Sequence, residues 1–246
     1  MTDPLWLPYG RQSISEADQE AVLKCLRSDF LTQGPLVPEF ENLLARVSSS
    51  PHAVAFNSAT SALHASCLAL GLGPGDRLWT SPISFVASAN CGLFCGATVD
   101  FVDIDPTNGL ISLSLLEERL LQAEKEGVLP KVLIPVHLVG TSCPMADLGQ
   151  LADRYGFQII EDASHAVGAS YKGIPVGSCH YSAITVFSFH PVKIITTGEG
   201  GAALTRDPIL EARLRKFRSH GIVRDSFEYD SPGPWYYEQQ ELGFSV

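Results

Sequence analysis

The chain has 246 residues, of which 45% are hydrophobic and 18% charged, enough apolar material for one large α/β domain or two small ones. A formal net charge of −10 argues against a nucleic-acid surface, which needs a basic patch, but leaves room for a small anion at a helix N-terminus. Residues Met1–Arg11, with Pro4, Trp6 and Pro8, lack the basic and apolar regions of a signal peptide, and no apolar run is long enough to span a bilayer. A soluble cytoplasmic protein with no membrane contact is the expectation.

In chain order, Ser15–Leu26 reads as a helix with Ser15 as N-cap and Ala21, Val22 and Leu26 as its apolar face. Leu31-Thr-Gln-Gly-Pro35 breaks that pattern, and Pro38–Val47 resumes a helix with Phe40, Leu43 and Leu44 on one side. A strand is predicted at Ala53–Phe56, then a helix through Ala62–Leu70. Strands at Arg77–Thr80 and Thr98–Val102 flank a helix at Ala87–Cys95. Further strands are predicted at Val132–Pro135, Gln158–Glu161, Ala183–Phe187 and Gly201–Thr205, with helices at Met145–Tyr155 and Pro208–Arg218. Such alternation implies an α/β fold with a mostly parallel sheet and helices on both faces, and places ligands beyond the carboxyl ends of the strands.

Three segments at such strand ends carry chemistry. The first, Asn57-Ser-Ala-Thr-Ser61, puts small hydroxyl residues at a helix N-terminus, where free N–H groups could hold an anion; ordinary N-capping by Ser58 or Thr60 is the alternative. The second, Glu161-Asp162-Ala-Ser-His165, ends a strand with two acids. A buried carboxylate there needs a cationic partner such as a protonated pyridine nitrogen, although a capping Asp beside a satisfied His would look the same. The third is Phe187-Ser188-Phe-His-Pro-Val-Lys193, running on to Gly198-Glu-Gly-Gly201. It isolates a lysine among apolar and small residues, where desolvation makes the amine a better nucleophile, unless it is simply a snorkelling surface lysine.

No metal site is expected. Asp162 and His165 lack further ligands, and Cys91 and Cys95, the only close pair among six cysteines, have no second pair at zinc-like spacing. Reduced, buried cysteines are the expectation.

In this order, with Leu31-Thr-Gln-Gly-Pro35, Gly73-Pro-Gly-Asp76, Ser84-Phe85, Val136-His137 and His220-Gly221, the segments resemble the DegT/StrS family of sugar aminotransferases over nearly the whole chain. The resemblance implies the large domain of a fold-type I enzyme dependent on pyridoxal 5'-phosphate, acting as a homodimer. Lys193 would form the Schiff base and move protons at the substrate carbon. Asp162 would keep the pyridine nitrogen protonated, His165 would lie near the ring's phenolic oxygen, and Phe85 would stack on the ring. Ala59, Thr60 and Ser188 would bind the phosphate. The organisation implied is an N-terminal helical segment at 1–30, a cofactor-binding large domain at 31–224 and the start of a C-terminal region at 225–246.

Within the family, Pro234-Trp-Tyr-Tyr-Glu-Gln-Gln-Glu-Leu-Gly-Phe244 is similar to the transaminases of pseudaminic acid biosynthesis. That likeness implies transfer of an amino group from glutamate to C4 of a UDP-linked 4-keto-6-deoxy-N-acetylhexosamine. The family continues past this stretch with Asn-Tyr-Arg and a small C-terminal domain, where this sequence has Ser245 and Val246. A truncated chain is therefore expected, lacking the small domain and the contact made by that Asn to the partner subunit's cofactor phosphate. The competing expectation is a fragment that folds and binds cofactor or sugar nucleotide without turnover. Dehydratase chemistry, found where the lysine is replaced, and a dinucleotide-binding dehydrogenase, which needs a glycine fingerprint after the first strand, fit the residues less well.

Overall fold

A computed structural model describes residues 10–225, 227–230 and 233–246. Residues 1–9, with Pro4, Trp6 and Pro8, and Pro232 lie outside the described residues.

The first helix, α1 (Glu16–Leu26), begins in a capping box: Ser15 accepts the Asp18 N–H and Asp18 accepts the Ser15 N–H. No residue of this helix is buried, however, and Val22 and Leu26 of its predicted apolar face are exposed. Helix α2 (Leu36–Val47) starts two residues before the predicted Pro38, because a proline in the first helical turn removes an N–H that has no intrahelical acceptor anyway. Leu44 is buried as expected, whereas Leu43 faces out and Glu41 faces in.

There follow β1 (His52–Phe56), α3 (Ala59–Ala69), β2 (Arg77–Thr80), α4 (Ala87–Phe94), β3 (Thr98–Phe101), α5 (Leu113–Glu126) and β4 (Val132–Ile134). After a single 3-10 turn at Leu138–Gly140 come α6 (Met145–Tyr155), β5 (Gln158–Asp162), the short hairpin β6 (Ser170–Tyr171) and β7 (Ile174–Pro175), then β8 (Ile184–Ser188) and β9 (Gly201–Thr205). Helix α7 (Pro208–Arg218) and the two-residue strands β10 (Ile222–Val223) and β11 (Glu238–Gln239) complete the chain. Helix α5 has no counterpart among the predicted elements. It is capped by Ser112, stopped by Gly127 at φ +68, and buries Leu116, Leu120 and Ala123 at helical spacing.

Seven strands form the main sheet in the order β1-β9-β8-β5-β4-β2-β3. Pairings from β3 through β8 are parallel, and β9 alone runs against both its neighbours. The cause is the connection: a parallel crossover needs a helix, and residues 189–200 between β8 and β9 contain none. The sheet is therefore mixed at β9 and otherwise parallel.

Alternation along the strands builds two cores. Val54, Leu78, Ile134, Ile160, Val186 and Ala203 face α3, α4 and α7. On the reverse face, Trp79, Leu133 and Ile159 pack under α5 and α6, and Ala53, Phe187 and Leu204 pack beneath α2. Helices thus cover both faces, as expected for the large domain of a fold-type I aminotransferase.

The edge strand β1 is held from outside the sheet. Buried Glu41 of α2 accepts the Ala55 N–H at 2.8 Å, together with Arg215 at 2.8 Å and Arg218 at 2.6 Å from α7. These arginines also donate to the Ala53 and Ala55 carbonyls at 3.3 and 3.1 Å. Glu41→Ala should leave a strand N–H and two partly buried guanidiniums without their acceptor. The expected cost is about 2–3 kcal/mol, below that of a fully buried pair because the arginines keep some solvent access, read as a lower midpoint in urea unfolding.

Candidate active site

Strand β5 ends in two consecutive acids, and period-two alternation sends them to opposite faces. Glu161, on the α5/α6 side, meets His137 Nε2 at 2.8 Å and Thr185 Oγ1 at 2.9 Å, and accepts the Ser182 hydroxyl as well. His137 Nδ1 accepts the Cys143 N–H at 3.2 Å, so its Nε2–H is the proton donated to Glu161. Burial alone would raise Glu161, but His137, Ser182 and Thr185 hold it below the usual carboxylate range.

Asp162 faces α4 and is 4% exposed. The Ser88 hydroxyl donates to its Oδ2 at 2.6 Å; the Ser164 hydroxyl and N–H donate to Oδ1 at 2.6 and 3.2 Å. Both oxygens are thus occupied by donors while the acid stays at the carboxyl end of the strand. Ser88 was not among the residues singled out from sequence. One serine in a small-residue helix carries no local signal, and only the packing of α4 on β5 marks it.

The turn after β5 carries His165, and the connection from β8 to β9 carries Lys193. Their side chains meet, with Nζ to Nε2 at 2.6 Å. The Lys193 loop is pinned at its neck, where Phe189 N–H donates to Gly200 O at 2.9 Å and Thr197 N–H to Phe189 O at 3.0 Å. Burial lowers the affinity of Lys193 for a proton, and Asp162 offsets that only in part. Burial, then the Lys193 charge, also lowers His165, which matches a neutral ring accepting the Nζ proton.

The first predicted segment is built from α3. Its N-cap is Ser58, whose side chain accepts the Ser61 N–H at 3.1 Å, so the helix starts three residues before the expected Ala62. Ala59 and Thr60 accordingly occupy its first turn, where N–H groups have no intrahelical acceptor. Gly201 explains how this helix end reaches the sheet: a Cβ there would lie 2.4 Å from Ser58 C and from Ala59 N. Gly201 in turn pairs with Ser188 across β8 and β9, which puts Ser188 one strand from the α3 terminus.

The structure therefore joins Asp162, His165 and Lys193 in one group and ties Ser188 to Ala59 and Thr60 through Gly201. Phe85 lies on the turn entering α4, 72% exposed, and its carbonyl accepts the Ser88 hydroxyl at 3.3 Å. These donors fit pyridoxal phosphate: a buried carboxylate suits a protonated ring nitrogen, an amine of lowered pKa suits an aldehyde, and first-turn amides suit a phosphate. Among the described residues no helix is long and apolar enough to cross a membrane.

With its proton affinity lowered by burial, Lys193 should acquire reactivity toward acetic anhydride at lower pH than Lys172, whose affinity is raised by the Tyr171 hydroxyl. Peptide mass spectrometry across a pH series should give a lower labelling midpoint for Lys193, and equal midpoints would contradict the burial effect.

Residues 12–240 match the DegT/DnrJ/EryC1/StrS aminotransferase family. A UDP-4-amino-4,6-dideoxy-N-acetyl-beta-L-altrosamine transaminase from Campylobacter jejuni is 39% identical over 239 residues, 97% of this chain and 60% of the relative. A UDP-4-amino-4-deoxy-L-arabinose--oxoglutarate aminotransferase from Shewanella sediminis is 37% identical over 228 residues, 93% of this chain and 56% of the relative. Among solved structures, Helicobacter pylori PseC, an aminotransferase of pseudaminic acid biosynthesis, superposes with TM-score 0.86 at 34% identity, covering 97% of this chain and 60% of that one. A Streptococcus pneumoniae sugar aminotransferase in its PLP form gives 0.84 at 29% identity, covering 97% and 62%. This chain thus spans about 60% of the length of the relatives it matches. Enzymes of this family use pyridoxal 5'-phosphate. The chain belongs to the DegT/DnrJ/EryC1/StrS aminotransferase family.

Proposed function

We propose that residues 31–224 form the cofactor-binding domain of a homodimeric transaminase that moves an amino group from glutamate to C4 of a UDP-linked 4-keto-6-deoxy-N-acetylhexosamine. The observation that carries this reading is the meeting of Lys193 Nζ with His165 Nε2 at 2.6 Å, within the field of buried Asp162. The sugar is supported by the likeness to the C. jejuni transaminase and to PseC.

When bound, pyridoxal phosphate supplies an aldehyde that takes up an amino group and a ring that delocalises the electron pair left by a departing proton. The residues of this chain divide the remaining tasks. Asp162 would hold the protonated ring nitrogen, and Ser88 and Ser164 fix its two oxygens in place. Lys193 Nζ would take up or return the proton at the substrate carbon, which requires an amine that sheds its proton more readily than a surface lysine. His165 Nε2 holds that amine in place by accepting its hydrogen. Ala59 and Thr60 amides and the Ser188 hydroxyl would hold the phosphate, and the Phe85 ring would lie against the cofactor and exclude water.

The chain spans about 60% of its relatives' length, and binding and turnover are tested separately. A second reading is therefore a chain that holds the cofactor or the sugar nucleotide without transfer. One experiment addresses both. The purified chain is incubated with pyridoxal phosphate, reduced with borohydride and digested, and the cofactor mass is sought on the Lys193 peptide. Label on Lys193 that is absent in Lys193→Ala establishes the binding reading, and 2-oxoglutarate formed from glutamate in one turnover adds transfer. Asp162→Asn should retain the label but slow the glutamate step by roughly 10²-fold or more. Label spread over surface lysines, unchanged in Lys193→Ala, would overturn the assignment.

A further inference from the structure

Helices α3 and α4 pack side by side and bring together sulfur groups that the site above does not use. Cys67 lies on α3, Cys91 on α4 and Cys95 at the α4 C-cap, and all three are buried in the core shared by these helices. The Cys67 side chain interacts with both Cys91 and Cys95, and Cys95 also interacts with His64, one turn before Cys67 on α3. The His64 ring is held 5.4 Å from Phe94 and 4.8 Å from Phe244, next to the cysteine it serves.

The three thiols are not equivalent. Cys91 donates its S–H to the Ser88 carbonyl at 3.4 Å. Cys95 has no such acceptor and retains 8% exposure, whereas Cys67 and Cys91 have none. Among the described residues no group of three or more His, Cys, Asp or Glu side chains is arranged to hold a metal ion. The cluster is thus left with the chemistry of sulfur itself.

We propose that Cys95 and Cys67, with His64 beside Cys95, form a hydroperoxide-oxidisable thiol pair that closes a disulfide between α3 and α4. The Cys95 sulfur attacks the terminal oxygen of the hydroperoxide and the O–O bond breaks. The departing alkoxide or hydroxide takes a proton from solvent, leaving a sulfenic acid on Cys95. The Cys67 sulfur then attacks the Cys95 sulfur, the S–O bond breaks, and the hydroxyl leaves with the Cys67 proton as water. Two thiols lose two electrons and one peroxide is reduced to an alcohol and water. The electrostatics favour this order. Contact with Cys67, then His64, brings the Cys95 thiol down to about 6 against the effect of burial, which favours its thiolate over that of Cys67. Cys67 is pushed well above the ordinary thiol range by Cys91, by Cys95 and by burial. Turning the Cys95 thiolate into an uncharged sulfenic acid removes the Cys95 share of that penalty when Cys67 must become the nucleophile. The bridge would join the helix that opens with Ala59 and Thr60 to the helix that bears Ser88.

The test treats the reduced full chain with hydrogen peroxide at pH 7, with and without dimedone, followed by digestion without reductant and peptide mass spectrometry. The expected result is a Cys67–Cys95 linked peptide while Cys143 and Cys179 remain thiols, with Cys95 consumed at least ~10-fold faster than either. Dimedone added early should mark Cys95 in the unaltered chain, and Cys67→Ala should accumulate that adduct in place of the link. Oxidation of Cys95 no faster than that of Cys143, oxidation confined to Cys25, or a link made through Cys91 would each overturn the proposal. The kinetic and early-trapping arms use the unaltered chain, so a variant that fails to fold does not blunt the test.

Discussion

A carboxylate taken out of water must find partners, and β5 buries two in succession. Much of the local architecture follows from that demand. On one face Glu161 gathers His137, which follows β4, and Ser182 and Thr185, which come from the stretch entering β8. On the other, Asp162 collects Ser88 from α4 and Ser164 from its own turn. Each contact fixes a connection at the carboxyl end of the sheet, where a parallel architecture already directs its ligands. The acid pair is therefore both a chemical group and the fastening point of the loops around it.

The same logic explains where the lysine sits. A chain leaving β8 without a crossover helix must return antiparallel, so residues 189–200 form a loop closed at its neck by the Phe189 and Gly200 pairing. That return delivers Gly201 against the start of α3, which carries the predicted anion site. A single reversal of strand direction thus links the amine and the phosphate-type donors, two features that lie more than a hundred residues apart in sequence.

How much of this was legible beforehand depended on the kind of signal. Lys193, Asp162 and His165 were readable because charged or titratable residues at strand ends, among small and apolar neighbours, are chemically conspicuous, and because their order matched a known family. Ser88 was not, since its meaning lies wholly in what α4 packs against. The early start of α3 was obscured because Ala59, Thr60 and Ser61 look like loop residues until Ser58 is seen to cap them. In α1, periodicity revealed a face that could be buried but not whether anything would bury it, and the described residues leave it open to solvent. Helix α5 escaped notice because Glu117, Glu118 and Arg119 interrupt its apolar spacing, and its hydrophobic stripe becomes plain only against Trp79, Leu133 and Ile159.

Both rims of the seven-stranded sheet are occupied by side chains. At β1, Glu41, Arg215 and Arg218 take the groups of Ala53 and Ala55, and at β3, Arg119 donates to the Phe101 carbonyl and pairs with Asp100. An open strand edge is an indiscriminate template, because any extended peptide can match its backbone. Here that universal route of self-recruitment is blunted at both ends. Helix and loop surfaces, where side-chain shape decides which company is kept, are the more selective ground this leaves for association.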